Sequence, residues 1–431
     1  MTEIVFPTGF LWGTATAAHQ VEGGNSNSDW WEWELRPNTP CRESSGDAID
    51  HYNRYGADIA TLAGLGFNTY RFSVEWARIE PSEGSFDGTQ LEHYRRMVEA
   101  TRAAGLIPMV TLNHFTLPIW IARRGGWLSA ETPRLFARYC RRVAETFAES
   151  VDWYCTINEP GVAAFGGYMG ALGFPPGTHG IGNWKRSIRG LIEGHRLALE
   201  TVKSVQPNAN VGLTVAMQEW ESNSGGRPAM EYARHMAEDV FLDAARDDDF
   251  VGVQTYTRAR MDLARWVGAL VRPALSIGPL ERLLVGRLVN RQVGGNPALD
   301  SREGIRRTQM GYEYRPEAVA ATVRRAAALL PDKPIVVTEH GVATADDAER
   351  VEFIGEGLRA LHAAIGDGVP LRGYIHWSGW DNFEWTSGYS MQFGLIGVNR
   401  ATQERTVKPS ARFLGEVART NRLVLPEGGP G

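Results

Sequence analysis

Short apolar runs alternate with longer amphipathic stretches along the whole chain, and few folds accommodate that rhythm. The runs lie at 10–15, 68–73, 107–112, 153–157, 211–215, 250–254, 334–338 and 373–377. They are almost wholly apolar, as strands covered on both faces must be. Between them, residues 52–65, 91–104, 133–148, 188–205, 232–245, 316–330, 348–365 and 409–418 read as helices; in the first, Ile59, Leu62, Ala63 and Leu65 recur at helical spacing. Pro133, Pro316 and Pro409 stand near helix starts, where a missing N–H costs nothing, and Gly66 and Gly105 stand where C-terminal caps are expected. Eight strand–helix units predict an α/β fold, a (β/α)8 TIM barrel. A length of 431 residues would by itself point to two domains, yet barrels are the standing exception and no linker divides the chain. The expectation is one barrel domain over 1–431, with 426–431 as a frayed tail.

A net charge of −5 provides no field that would recruit nucleic acid. Cys41, Cys140 and Cys155 are too few and too scattered for a disulfide framework or a zinc site, and read as reduced packing residues. Residues 1–7 lack the basic start and long apolar core of a signal peptide. No uncharged apolar run reaches the ~20 residues that span a bilayer. These features predict a cytoplasmic protein without a transmembrane segment, and no motif calls for a metal or an organic cofactor.

In a barrel of this kind, the polar residues that do chemistry collect at the C-terminal ends of the strands. Here those ends carry His19 and Gln20, Arg71, Asn113 and His114, Asn158 and Glu159, Gln254 and Tyr256, Glu339, and Trp377. Each has a plain structural explanation when taken alone: His114 as a hydrogen-bonded histidine near a core, Arg71 as an ion-pair residue. Their common position on one face favours a site. Within it, Glu159 and Glu339 each follow an apolar, β-branched run, a poor place for packing and a good one for chemistry. Two carboxyls so placed can divide acid–base and nucleophilic work on one bond.

The segments from Phe10 to Gly23, Tyr70 to Ile79, Gly125 to Trp127, Thr156 to Pro160, Thr338 to Gly341 and Asp381 to Trp385 resemble the motifs of the glycoside hydrolase family 1 β-glycosidases. The resemblance runs nearly end to end. It implies a retaining β-glycosidase acting on terminal β-D-glucosidic bonds of small-molecule glycosides through a covalent glycosyl-enzyme, with β-galactosides or β-fucosides slower. It implies Glu159 as general acid/base and Glu339 as nucleophile. It implies Gln20, His114, Asn158, Glu384 and Trp385 as contacts to the sugar hydroxyls, and Trp377 as a stacking floor. Arg71 and Tyr256 would sit beside the nucleophile, and Tyr312 resembles the aglycone-side aromatic, usually Trp. The chain departs from the pattern at His340, Phe115, Thr116, Gln254, Trp380 and Gln392, none of which removes a catalytic group.

On this resemblance, Glu339 must be ionised to attack the anomeric carbon, and a neighbouring Arg71 is expected to lower its pKa. Glu159 must begin protonated, and burial together with the charge of Glu339 should raise it. Glu384 as a carboxylate suits a neutral sugar and repels a sugar 6-phosphate. Retention of Glu159 disfavours a thioglucosidase. A transglycosidase would use the same two Glu, whereas a non-catalytic sugar-binding protein would normally have lost one.

Residues 258–307 are the least family-like part, with Arg residues among apolar ones such as Trp266, Leu270, Leu283, Leu284 and Leu288. Their place after the sixth strand predicts a loop-and-helix flap beside the catalytic face. One reading packs its apolar side on the barrel rim. The other exposes a groove for a hydrophobic aglycone, bordered by Tyr312.

Overall fold

The computed structural model describes residues 2–265, 271, 281 and 304–425. Its centre is a closed barrel of parallel strands: β1 (Leu11–Ala15), β2 (Thr69–Ser73), β3 (Ile107–Asn113), β4 (Trp153–Asn158), β5 (Asn210–Ala216), β6 (Phe250–Thr255), β7 (Ile335–His340) and β8 (Leu371–Trp377). Each pairs with its sequence neighbour, and β8 closes the ring on β1. Around it lie α1 (His51–Leu65), α2 (Gly88–Ala103), α3 (Thr132–Phe147), α4 (Ile181–Val205), α5 (Arg227–Arg234), α6 (Ala318–Leu329), α7 (Asp347–Gly366) and α8 (Pro409–Thr420). Every expected strand and helix is present. The differences are local: α4 begins at Ile181 rather than 188, and α6 at Ala318 rather than at Pro316. The helix expected over 232–245 passes through a π-turn at His235–Asp239 before ending in Val240–Ala244.

The strands read as continuous apolar runs because their alternate residues enter two different cores. Leu11, Met109, Cys155, Phe250, Val336 and Ile375 fill the barrel interior, while Trp12, Tyr70, Val110, Tyr154, Val251 and Val337 pack under the helices. α3 shows the matching helical period. Phe136, Tyr139, Cys140, Val143, Ala144 and Phe147 are all buried, one stripe turned to the sheet. Pro133 starts the helix and Gly66, with φ of 104°, ends α1, as their chemistry expects.

Two strands break the alternation just before the polar residues at their ends. The β4–β5 register shifts between Cys155 and Asn158, and the β6–β7 register shifts between Val337 and Glu339. On β4, Thr156 reaches His195 of α4 and Ile157 joins the outer core, so both face outward and Asn158 turns in. On β7 the extra residue turns Glu339 inward and sends His340 out against Phe353 of α7. A bulge of this kind re-aims a side chain that strict alternation would point the wrong way.

The start and end of the described chain are tied together. Thr2–Val5 pairs antiparallel with Arg422–Leu425, and Asn421, in a left-handed conformation, accepts from Trp12 Nε1 at 2.9 Å and donates to the Phe6 carbonyl at 2.7 Å. Cys41, Cys140 and Cys155 are free and buried. Among the described residues no helix is long and apolar enough to cross a membrane.

The expected flap is described only in part. Arg258–Arg260 is a short strand parallel to Glu219–Glu221. Val271 is buried in the main core. Glu281 is buried too, accepting from Lys185 Nζ at 2.5 Å and from Tyr232 Oη at 2.7 Å. Residues 266–270, 272–280 and 282–303, with the Leu283 and Leu284 that an apolar groove needs, lie outside the described residues, as does the tail 426–431.

The outward turn of His340 makes a demand on α7. A Cβ on Gly357 would lie 2.6 Å from His340 Cε1. Gly357→Ala should therefore destabilise the protein by about 1–3 kcal/mol. Gly56→Ala, on exposed α1 surface with nothing within 4 Å, should stabilise it by about 0.5–1 kcal/mol. Urea denaturation of both variants checks the pair; a Gly357→Ala protein as stable as Gly56→Ala would show that His340 is not confined there.

Candidate active site

Arg71 stands inside the barrel on β2, 1% exposed. Its Nη1 donates to Glu339 Oε1 at 2.6 Å and to the Thr338 carbonyl at 3.1 Å; Nη2 donates to Asn158 Oδ1 at 2.5 Å. Gln254, at the end of β6, donates from Nε2 to Asn158 Oδ1 at 2.8 Å and to Glu339 Oε1 at 2.9 Å. Tyr256 donates to the other oxygen, Glu339 Oε2, at 2.5 Å. Burial and the nearby carboxyls push the Tyr256 phenol far above its usual range, so it remains a donor. Glu339 is thus gripped by a guanidinium, an amide and a phenol.

Glu159 is held differently. Its backbone takes the left-handed conformation, φ 45° and ψ 58°, at the corner between β4 and the short helix Pro160–Ala163. Its N–H donates to the Thr214 carbonyl at 2.9 Å. A non-glycine residue rarely sits there, and such strain concentrates where a side chain must be aimed. Phe115 (φ 69°) and Trp385 (φ 46°), whose ring centroids lie 5.1 Å apart, also have positive φ. Among the described residues, no hydrogen bond reaches the Glu159 carboxyl.

Three carboxyls compete for charge here, and the donors decide between them. Burial raises Glu159 well above the usual carboxylate range, and the charges of Glu339 and Glu384 add to the rise. Burial and the charge of Glu339 push Glu384 up to about 8, with donors from Gln20 and Trp377 opposing. Glu339 was expected to be held low by Arg71. Burial outweighs the guanidinium, and its pKa lies above the usual value, with Arg71 and Tyr256 pulling it back. Among the described residues it alone of the three has a cation in contact, which favours the negative charge on Glu339 and the proton on Glu159.

The remaining residues form a wall with polar atoms left over. Asn158 Oδ1 receives Arg71, Gln254 and Thr214, so its Nδ2 must donate to His114 Nε2, 3.1 Å away. The ring proton of His114 therefore sits on Nδ1, which is buried and has no partner among the described residues. Burial and the charge of Arg71 push His114 well below its usual pKa, so the ring is neutral. Gln20 donates from Nε2 to the Phe383 carbonyl at 2.6 Å and to Glu384 Oε2 at 3.2 Å, leaving Oε1 buried and without a partner among the described residues. His114 stacks on Trp377 with ring centroids 5.7 Å apart and on Trp385 at 6.0 Å. Tyr312 is half-buried, and burial raises its phenol, with the nearby carboxyls of Glu384 and Glu159 adding to the rise. The cluster can hold a polyhydroxylated molecule against aromatic faces, with Glu339 ionised and Glu159 protonated beside it; Glu384, expected as a carboxylate, is a protonated carboxyl below about pH 8.

The profile of glycosyl hydrolase family 1 matches residues 2–272 and 286–423. The chain belongs to that family. It is 33% identical to a thermostable β-glucosidase B of Thermobispora bispora, over 98% of this chain and 92% of that one. It is 31% identical to a bifunctional β-D-glucosidase/β-D-fucosidase of Bifidobacterium breve, over 94% and 96%. The solved structure of β-glycosidase BGL167 is similar with a TM-score of 0.82 and 40% identity, covering 99% of this chain and 100% of that one. The protein is a glycoside hydrolase of the β-glycosidase type.

In this β-glycosidase, Arg71, His114, Asn158, Tyr256, Glu339, Trp377 and Trp385 are joined by hydrogen bonds or ring stacking into one cluster, to which Gln20 and Glu384 are tied through the Trp377 donor to Glu384. Glu159 and Tyr312 make no hydrogen bond or ring contact with that cluster among the described residues, but its carboxyls raise the pKa of both. Gln254, placed by the sequence among the strand-end polar residues but given no role there, bridges Asn158 and Glu339. The signal was a lone amide at the end of an apolar strand. His19, likewise placed at a strand end without a role, stacks on Trp385 with rings 5.7 Å apart and nearly parallel at 4°.

The tautomer of His114 can be read directly. Nitrogen-15 NMR should show a neutral ring protonated on Nδ1, with no titration between about pH 5 and 8. A ring that titrates near its ordinary value would mean that neither burial nor Arg71 controls it.

Proposed function

We propose that this β-glycosidase is a retaining β-glucosidase in which Glu339 is the nucleophile and Glu159 the general acid/base. The observation that carries the reading is the unequal surroundings of the two carboxyls. Glu339 has Arg71, Gln254 and Tyr256 as donors, and Glu159 has burial and negative neighbours. One is fitted to be ionised, the other to keep its proton.

The reaction follows from that asymmetry. Glu339 attacks the anomeric carbon while Glu159 gives its proton to the leaving oxygen. Ester formation consumes the charge on Glu339, so one cause of the raised Glu159 pKa disappears. Glu159 then accepts a proton from water, which displaces Glu339 and returns the sugar with its configuration retained. Gln20 Oε1, His114 Nδ1–H and Glu384 meet the sugar hydroxyls, and Trp377 and Trp385 stack on its faces. An acceptor, a donor and a carboxyl suit a neutral hexose with equatorial hydroxyls, so β-glucosides should be preferred and β-fucosides or β-galactosides slower. The Bifidobacterium breve relative, named for both glucosidase and fucosidase activity, supports that breadth. Three buried free thiols suit a reducing compartment, and the reading places the enzyme in the cytoplasm.

The kcat/KM profile for 4-nitrophenyl β-glucoside should be bell-shaped. The acid limb falls as Glu339 gains a proton, at a pH above the ordinary carboxylate value because its pKa is raised. The alkaline limb falls as Glu159 loses its proton. Glu159→Gln should remove the alkaline limb and depress poor leaving groups about a hundredfold or more beyond activated ones, since only the former need the proton. Equal losses across a leaving-group series would make Glu159 structural, and no turnover of any β-glycoside by the unaltered protein would overturn the reading.

A further inference from the structure

Tyr312 lies near the tip of a tight turn whose attachments extend well outside the site. The Thr308 N–H donates to the Tyr312 carbonyl at 2.8 Å, and the Gly311 N–H to the Thr308 carbonyl at 2.8 Å, with Gly311 at φ 80°. Arg307 and Glu313 pair as an isolated antiparallel bridge at its base. Gln309 ties the turn to the loops after β7 and β8, donating to the Ala343 carbonyl at 3.1 Å and the Ser390 carbonyl at 2.9 Å. Met310 packs against the cluster that contains Trp377 and Phe393. The turn therefore presents Met310 to the site, and the carboxyls of Glu384 and Glu159 act on the phenol of Tyr312 two residues on.

Glu313, immediately after Tyr312, is the residue through which charge holds this turn. Its carboxylate accepts from Arg258 Nη2 at 2.6 Å and from Arg260 Nε at 3.2 Å, and its carbonyl accepts from Thr257 Oγ1 at 3.0 Å. Arg258 also meets Glu221 at 3.0 Å, Arg260 meets Glu221 at 3.2 Å, and Arg315 meets Glu219 at 3.0 Å. The Arg258 and Glu313 side chains are 14% and 12% exposed, too sheltered for water to replace one partner cheaply. The two guanidiniums hold the Glu313 carboxyl below its usual range, against burial. Both arginines lie on the strand that begins two residues after Tyr256, the phenol that grips Glu339. One ionic lattice thus fixes Tyr312 relative to the reacting carboxyls.

We propose that Glu313 is a positioning residue for leaving-group selection, holding the turn at Thr308 to Tyr312 so that Tyr312 walls the space beside Glu159 where the departing group sits. The inference rests on the glycosidase reading. Glu313 touches no substrate; it acts through Tyr312. Its influence must appear in steps where the leaving group is present and vanish once that group has gone.

The test compares Glu313→Gln, Tyr312→Ala and the double variant on cellobiose, 4-nitrophenyl β-glucoside and 2,4-dinitrophenyl β-glucoside. The last leaves without needing a proton, so its kcat is expected to report breakdown of the glycosyl-enzyme, a step in which no leaving group remains. Glu313→Gln should raise KM for cellobiose about tenfold while kcat on the dinitrophenyl substrate stays within about twofold. In the Tyr312→Ala background, Glu313→Gln should change the cellobiose KM by less than about twofold, because the two act as one unit. Equal losses on all substrates, or effects that multiply in the double variant, overturn the inference and leave the glycosidase reading standing. Absence of turnover in the unaltered protein overturns both. Arg260→Lys, which keeps the charge but loses the fork, provides a milder form of the same substitution and should raise the cellobiose KM in the same direction; an unchanged KM counts against the inference.

Discussion

A guanidinium enclosed in a barrel must be answered by negative charge, and Arg71 is answered by Glu339 at 2.6 Å. Removing either partner would leave the other buried and unpaired, at a cost of about 3–5 kcal/mol. The pair does more than balance itself. Arg71 also takes the Thr338 carbonyl and Asn158 Oδ1, so β2 is bound across the interior to the ends of β4 and β7. That in turn orients Asn158 toward His114 and fixes the histidine proton on Nδ1. The same guanidinium gives Glu339 its advantage over Glu159 and Glu384 in carrying charge.

Both strands reached by Arg71 are also fixed from outside by histidines. On β4, Thr156 shares a hydrogen bond with His195 Nδ1 at 2.8 Å, and His195 Nε2 meets Asp248 at 3.0 Å. On β7, His340 Nδ1 meets Tyr374 Oη at 3.0 Å and Nε2 meets the Pro316 carbonyl at 3.2 Å. Burial lowers His340 to a pKa of about 3, so it serves as a neutral spacer at ordinary pH. These outer contacts fall at the bulged positions. A bulge leaves backbone and side chains out of register, and a second layer of hydrogen bonds holds the new register in place.

The barrel was legible because its signal is periodic: apolar runs covered on both faces, separated by helices with a single apolar stripe. The site was legible as a set of polar residues at strand ends, which packing alone would not select. Other features were hidden for physical reasons. Strict alternation on β7 would pair His340 with Val336 and Thr338 on the inner face; the register shift that instead turns Glu339 in depends on β6 and β8. The π-turn at His235–Asp239 carries no local breaker, and its Glu238 is held by Trp220 and Arg325 from distant segments. The raised pKa of Glu339 needed the depth of burial, which no count of neighbouring charges supplies.

The central claim is that Glu339 forms a covalent bond to the sugar. Incubation with 2-deoxy-2-fluoro-β-glucosyl fluoride, whose fluorine slows release more than attack, tests it by mass spectrometry of the intact protein and its peptides. The account predicts a gain of one fluoroglucosyl unit, carried on Glu339, with turnover recovering as the adduct is released. A label on Glu159, or continued hydrolysis of β-glucosides with no labelled protein and inversion of configuration, would contradict it.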